Sequence, residues 1–387
     1  MLLIVGSVAA ADLSGTDSSA GVVNGVYFVA VALGAVAFGR AMDRLGRGPG
    51  LVASYVLLTV SGVGSAAAIR AGSYPGLLAC TAIFGASAGG ANLARAAVAD
   101  MHAPEHRGRA VGMLLAAGTV GAVGGPFTVG VLQDLAEPWR IDPNVLPWVI
   151  VPVAGLAAVV CALAIRMDPR DLAVRIEESD TTAVDRRPRE LLASPAIRLA
   201  IVAAAAGQMA MIAVMGVTPI HLHHQHSSGI VISSVIGFHV AGMFAFSPLV
   251  GAGLDRFGCR PGLLAGALVS ATGALLAAAT GGTLVTGIGL FAIGLGWSAT
   301  YLGATAVISD ATRPTERAGA LGLTDLAIAA TSALAGFASG FVFAAVGYRV
   351  LGLCVAAIVL AVVGSLFTVR LERVQPVIAG SAPRIQS

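Results

Sequence analysis

Apolar stretches of about 20 residues recur along this chain, each long enough to cross a hydrocarbon core of about 30 Å as a helix. They fall at 21–39, 50–70, 75–99, 108–132, 146–166, 196–219, 229–251, 262–281, 283–309, 318–345 and 347–369, eleven in all. Charge is too scarce for a water-facing surface. Only 11% of the 387 residues are charged and 57% are hydrophobic, whereas a soluble domain carries about 25% charged residues. Lipid is therefore the solvent, and the class is an all-α membrane protein. The 50 glycines fit that solvent, because small residues let membrane helices approach closely.

A twelfth apolar segment, residues 1–11, is too short to cross alone. Val8, Ala9, Ala10 and Ala11 resemble a signal-peptide cleavage site, but no basic region precedes them. The segment is read instead as the outer half of a truncated first helix, giving twelve spans.

The 23 basic residues are all arginine. Alternate loops hold Arg40, Arg44 and Arg47, then Arg107 and Arg109, then Arg256 and Arg260, then Arg313 and Arg317. The polar stretch 167–195 adds Arg170, Arg175, Arg186, Arg187 and Arg189, and the tail holds Arg373 and Arg384. The intervening loops hold one each, Arg70, Arg140 and Arg349. Positive charge is retained on the cytoplasmic side, so both termini and the 167–195 linker are expected in the cytoplasm. The localisation that follows is the bacterial cytoplasmic membrane.

Gly39, Asp43, Arg44, Gly46 and Arg47 form the pattern G-x3-D-R-x-G-R. It returns 212 residues later as Gly251, Asp255, Arg256 and Gly258, with Cys259 in the last place and Arg260 following. Asp100, Pro104 and Arg107 return as Asp310, Pro314 and Arg317 after 210 residues. Two unrelated motifs sharing nearly one offset imply a tandem duplication of six spans, a known transporter architecture. The expected units are 1–166, a linker 167–195, 196–370 and a tail 371–387.

That loop resembles the signature of the major facilitator superfamily, and the resemblance covers essentially the whole chain. It implies a major facilitator fold of two six-helix bundles. It also implies that Gly39, Asp43, Arg44, Gly46, Arg47, Asp255 and Arg256, with Arg95 and Asp100, latch the cytoplasmic side in the outward-facing state. Gly121, Gly125 and Pro126 on the fifth span resemble a motif of antiporter branches, although glycine and proline are common in membrane helices anyway.

Five of seven histidines and four of nine methionines lie between Met209 and Met243. Met211 and Met215 share a helix face, as do His239 and Met243. His221, His223, His224 and His226 lie between them in what reads as a short outer loop, either a solvated turn or metal ligands. At about 1.5 Å per residue, the four span residues descend to depths of about 6, 12, 15 and 21 Å. Thioether and imidazole suit Cu(I). The pattern resembles the CcoA-type branch of the superfamily, which carries M-x3-M and H-x3-M on the seventh and eighth spans and imports copper. The same group holds RfnT-like riboflavin importers. Methionines at this spacing also serve as packing, whereas an imidazole at mid-membrane marks a pathway or a partner.

Asp325, about seven residues into the eleventh span, is a candidate proton-coupling carboxylate, with an ion pair or helix cap as the alternative. Walker, zinc-protease and G-x-S-x-G motifs are absent. No enzyme activity, cofactor or nucleic-acid partner is expected. The function expected is secondary transport of a small solute by a monomer in the bilayer. Copper ion is one candidate. A proton-coupled organic molecule, taken up like riboflavin or expelled like a drug, is the other. A non-transporting sensor or assembly factor on the same scaffold is the rival from another class.

Overall fold

The computed structural model describes residues 2–94, 97–98, 101, 104–136, 138–165, 188–279, 282–312 and 314–368. Among them the regular structure is helical, with no strand. The linker residues 166–187, the tail from 369, Arg95 and Asp100 lie outside the described residues.

A π-helical turn, Leu2–Gly6, leads into α1 (Ser7–Ser14). The first set continues with α2 (Ser18–Leu45), α3 (Arg47–Arg70), α4 (Tyr74–Asn92) and α5 (Pro104–Ala136). A 3-10 turn, Leu146–Val149, then opens α6 (Ile150–Leu163). The second set holds α7 (Pro195–Met215), α8 (Thr218–His224), α9 (Gly229–Phe244) and α10 (Ser247–Phe257). After these come α11 (Cys259–Ala278) and α12 (Gly282–Ala311). The last helical run, Pro314–Thr368, breaks at Gly347 (φ 80°, ψ 173°) into α13 (314–346) and α14 (348–368). The spans expected at 318–345 and 347–369 meet at that glycine.

The sequence duplication has a conformational counterpart. Gly46 takes φ 101°, ψ 159° and Gly258 takes φ 92°, ψ 157°. Each ends one helix and begins the next with no intervening loop. That region of backbone space is essentially reserved for glycine, which is why the repeated pattern holds a glycine there.

Within the first set α4 packs along α2 and α3, and α6 along α3. In the second, α12 packs along α7, α9 and α11, and α14 along α11. Helices α7 and α9 do not pack along each other; α12 stands behind the gap between them. The most enclosed long span is the α7–α8 pair, with 78% of its apolar window buried against 28% for α3. Its side chains therefore face protein rather than lipid.

The two sets meet at the arginine-poor end. A Cβ on Gly21 of α2 would stand 2.7 Å from Gly340 Cα of α13, and one on Gly340 would stand 2.5 Å from Gly21 Cα. Backbone lies on backbone there, and a methyl group has no room. Asn24 Nδ2 donates to the Gly216 carbonyl (3.2 Å) across the same seam. On the other flank Phe127 of α5 meets Phe238 of α9 edge-on at 6.3 Å, and Gly130 abuts Ile230 and Ser233. Counting at about 1.5 Å per residue from the arginine-poor helix ends, these contacts reach about 11–14 Å deep. Beyond that depth α5 loses its partner: a Cβ on Gly118, Gly121, Gly124 or Gly125 would have no neighbour within 4 Å. The fold is thus sealed through roughly half of a 30 Å core and open below.

Candidate functional site

The histidine-rich stretch is not the loop expected from sequence. His221, His223 and His224 sit on α8, because Pro219 starts that helix and Thr218 Oγ1 donates back to the Val214 carbonyl (2.7 Å). Only His226 lies in the turn beyond, at φ 57°. The ring of His221 stacks on Tyr348 at 4.0 Å, and His224 Nε2 lies 3.3 Å from Asp17 across the seam. Among the described residues no group of three or more histidine, cysteine or acidic side chains could hold a metal ion.

Extending the seventh span to His224 also changes the depths. Met215 and His239 now stand about 14–15 Å from the arginine-poor end, and Met211 and Met243 about 20–21 Å. All four are enclosed: His239 is 0% exposed, and Met211, Met215 and Met243 are 6%, 7% and 8%. His239 Nδ1 donates to the Leu290 carbonyl at 2.6 Å, which turns the ring toward α12. Its Nε2 is buried with no hydrogen-bond partner among the described residues.

A second constellation, missed from sequence, lies below the seal, beside the gap between α7 and α9. Trp297 of α12 donates its indole N–H to Gln208 Oε1 of α7 at 2.7 Å. Gln208 Nε2 donates to Ser332 Oγ of α13 at 2.8 Å, and Ser332 donates to the Ile328 carbonyl. Tyr301, one turn on from Trp297, lies nearly parallel to the indole (5.1 Å, 10°), and Phe244 of α9 meets it edge-on at 5.9 Å. Gln208 is buried, while Trp297, Tyr301 and Phe244 are half-buried. Gln208, Ser332, Trp297 and Phe244 stand about 21–24 Å from the arginine-poor end of their spans and Tyr301 about 28 Å, some 7–15 Å below the seal. Two signals could have found them: Gln208 is an amide inside an apolar span, and Trp297 sits at mid-span, although membrane tryptophans concentrate at interfaces.

The remaining candidates separate. Asp43 is exposed and pairs with Arg47 one turn away at 3.4 Å; Arg44 is also exposed. Among the described residues a Cβ on Gly39 would meet only Leu93, at 4.0 Å. Asp255 and Arg256 are exposed at the equivalent end of α10, with Arg256 over the Phe257 ring at 5.4 Å. Gly121 and Gly125 look onto open space, and Pro126 is buried between them and the Phe127 contact. Asp325 is exposed on α13 in the open half.

Comparison with known proteins places this geometry. The family model of the Major Facilitator Superfamily matches residues 1–238 and 209–386. The MFS-type transporter YdeG of Bacillus subtilis is 31% identical over 357 residues, covering 90% of this chain and 83% of that one. The riboflavin transporter RfnT of Brucella anthropi is 28% identical over 333 residues, covering 84% and 80%. Among solved structures, a bacterial homologue of the human lysosomal transporter Spinster superposes with a TM-score of 0.72 at 17% identity, covering 94% of this chain and 92% of that one. A D-xylose–proton symporter superposes at 0.70 and 17%, covering 92% and 94%. At these identities the structural likeness speaks for the fold alone.

Proposed function

The chain belongs to the Major Facilitator Superfamily, a family of membrane transporters, and from that premise we propose that it carries a small organic solute across the bacterial cytoplasmic membrane by alternating access. The observation that carries this reading is the one-sided seal. Gly21 against Gly340 and Phe127 against Phe238 close the arginine-poor half, while α5 stands free of α9 in the other. A path open at one end with a cavity at mid-depth is what a rocking-bundle carrier needs. A sensor or assembly factor has no use for it. With the arginine-rich loops in the cytoplasm, the state described is inward-facing and both termini are cytoplasmic. The exposed Asp43 fits that state, because the latch implied by the family resemblance engages only when the cytoplasmic side closes. One chain supplies both walls of the cavity, so a monomer suffices. Asp325, exposed in the open half, is the candidate for exchanging a proton with the cytoplasm.

An organic solute fits better than copper. A solute must meet accessible surface, and Trp297 and Tyr301 are half-buried. His239 is not, being wholly buried with Nδ1 held by Leu290. The specific observation on the side of copper is the unpartnered His239 Nε2, with Met211, Met215 and Met243 as further soft ligands.

The deciding experiment measures cellular copper and riboflavin uptake with and without the protein. Altered riboflavin uptake with copper unchanged supports the organic reading. Copper that changes with the protein and is restored by His239→Ala would move the assignment to the metal.

A further inference from the structure

We infer that Trp297, Tyr301 and Gln208 form the solute site, and that it takes a flat, uncharged, hydrogen-bonding ring system; this rests on the organic-solute reading above. Four helices converge on one indole: α12 carries it, α7 supplies its acceptor Gln208, α9 brings Phe244 to its edge, and α13 holds Gln208 through Ser332. The chain from indole to amide to hydroxyl to the Ile328 carbonyl fixes the plane of the ring before any solute arrives. Such pre-organisation lowers the entropy cost of binding.

Packing alone does not call for this arrangement. An indole N–H buried in the membrane needs an acceptor, and a phenylalanine or leucine would fill the space without one. Trp297 and Tyr301 nonetheless stay half-buried, on a helix that packs along both α7 and α9 while those two leave a gap between them. A parallel pair of rings with an edge-on third offers a π-face to a planar guest. Gln208 has a second amide hydrogen beyond the one given to Ser332, available to an acceptor on the guest's rim. None of Gln208, Phe244, Trp297, Tyr301 and Ser332 bears a charge, so an ionic centre of the solute would go uncompensated at this depth. The site lies below the seal, open to the arginine-rich side in this state and to the other side once the seal parts.

The test is equilibrium binding of riboflavin, lumichrome and adenine to the full-length protein in lipid nanodiscs, with D-xylose as the non-aromatic control. The flat probes are expected to bind, with flavin fluorescence quenched by stacking, and D-xylose not to compete. Trp297→Ala is expected to weaken riboflavin about tenfold or more, and Trp297→Phe only about threefold. Gln208→Leu removes both the donor to the guest's rim and the acceptor that orients the indole. It is expected to lower the flavin quench at saturation and narrow the preference for flat probes over D-xylose, without unfolding the protein. If flat probes bind but Trp297→Ala, shown folded by an unchanged melting profile, binds them equally, the site falls and the organic-solute reading stands. If none of the three flat probes binds the folded wild type, the inference is overturned, and the uptake assay above judges the transport reading separately.

Discussion

Asn24 is a single buried amide on the seam between the bundles. Its Nδ2 reaches the Gly216 carbonyl at 3.2 Å and Ser7 Oγ at 3.4 Å. A hydrogen bond inside a membrane protein is worth about 1 kcal/mol, and a buried polar group left unpaired costs about 1–3 kcal/mol. Asn24→Ala should therefore destabilise the sealed state by about 1–2 kcal/mol, read as faster hydrogen exchange along the outer turns of α2 and α7. Asp17 and His224 span the same seam, but their side chains are 31% and 51% exposed. Asp17→Asn should shift the same exchange by under about 1 kcal/mol, because water screens such a pair. Little at this scale was legible beforehand. His239 could be picked out, since a mid-membrane imidazole is anomalous by composition alone. Its bond to Leu290 could not, because the partner lies 51 residues away on another helix. Gln208 and Trp297 each stand out by position in an apolar span, but nothing local says that the fold brings them 2.7 Å apart.

Helices α2 and α13 depend on small residues at their crossing. Gly21 and Gly25 face Gly340 and Phe337, and any added side chain must push the backbones apart. Gly21→Leu and Gly340→Leu are predicted to keep the fold but bias the carrier toward its other state. Ser233, buried within the seal against Gly130, would show it: as Ser233→Cys in a Gly21→Leu background it should become reactive to an impermeant maleimide from the outside, and remain protected in the parent. The paired turn glycines give a second element-scale prediction. At φ 101° and 92°, Gly46→Ala and Gly258→Ala each force a side chain into glycine-only backbone space, at about 1–3 kcal/mol. Both should lower the melting temperature, and by similar amounts because the two conformations match. Most of this scale was readable from sequence. Apolar length located the spans, and the repeated G-x3-D-R-x-G pattern located both turns. The outer histidines were misread as loop. Their polarity argued for solvent, and what outweighed it was the proline start and the Thr218 bond that extend the seventh span past them.

At the scale of the whole molecule the prediction concerns sidedness. Val120 on α5 is 77% exposed, in the half where that helix has left its partner. Val120→Cys should react with maleimide in inside-out vesicles and be protected in right-side-out ones. Equal reactivity from both sides would remove the inward-facing assignment. By itself the sequence determined the solvent, the number and rough limits of the spans, the duplication and the sidedness of the arginines. All of these are written in local composition and in the chain's similarity to itself. Only the tertiary structure decided which end is sealed and which mid-membrane side chains meet. Helix periodicity says which residues share a face, but not which face of another helix lies opposite. The Gly21–Gly340 seam and the Gln208–Trp297–Ser332 chain each join residues far apart in sequence. Close packing of the helices created both.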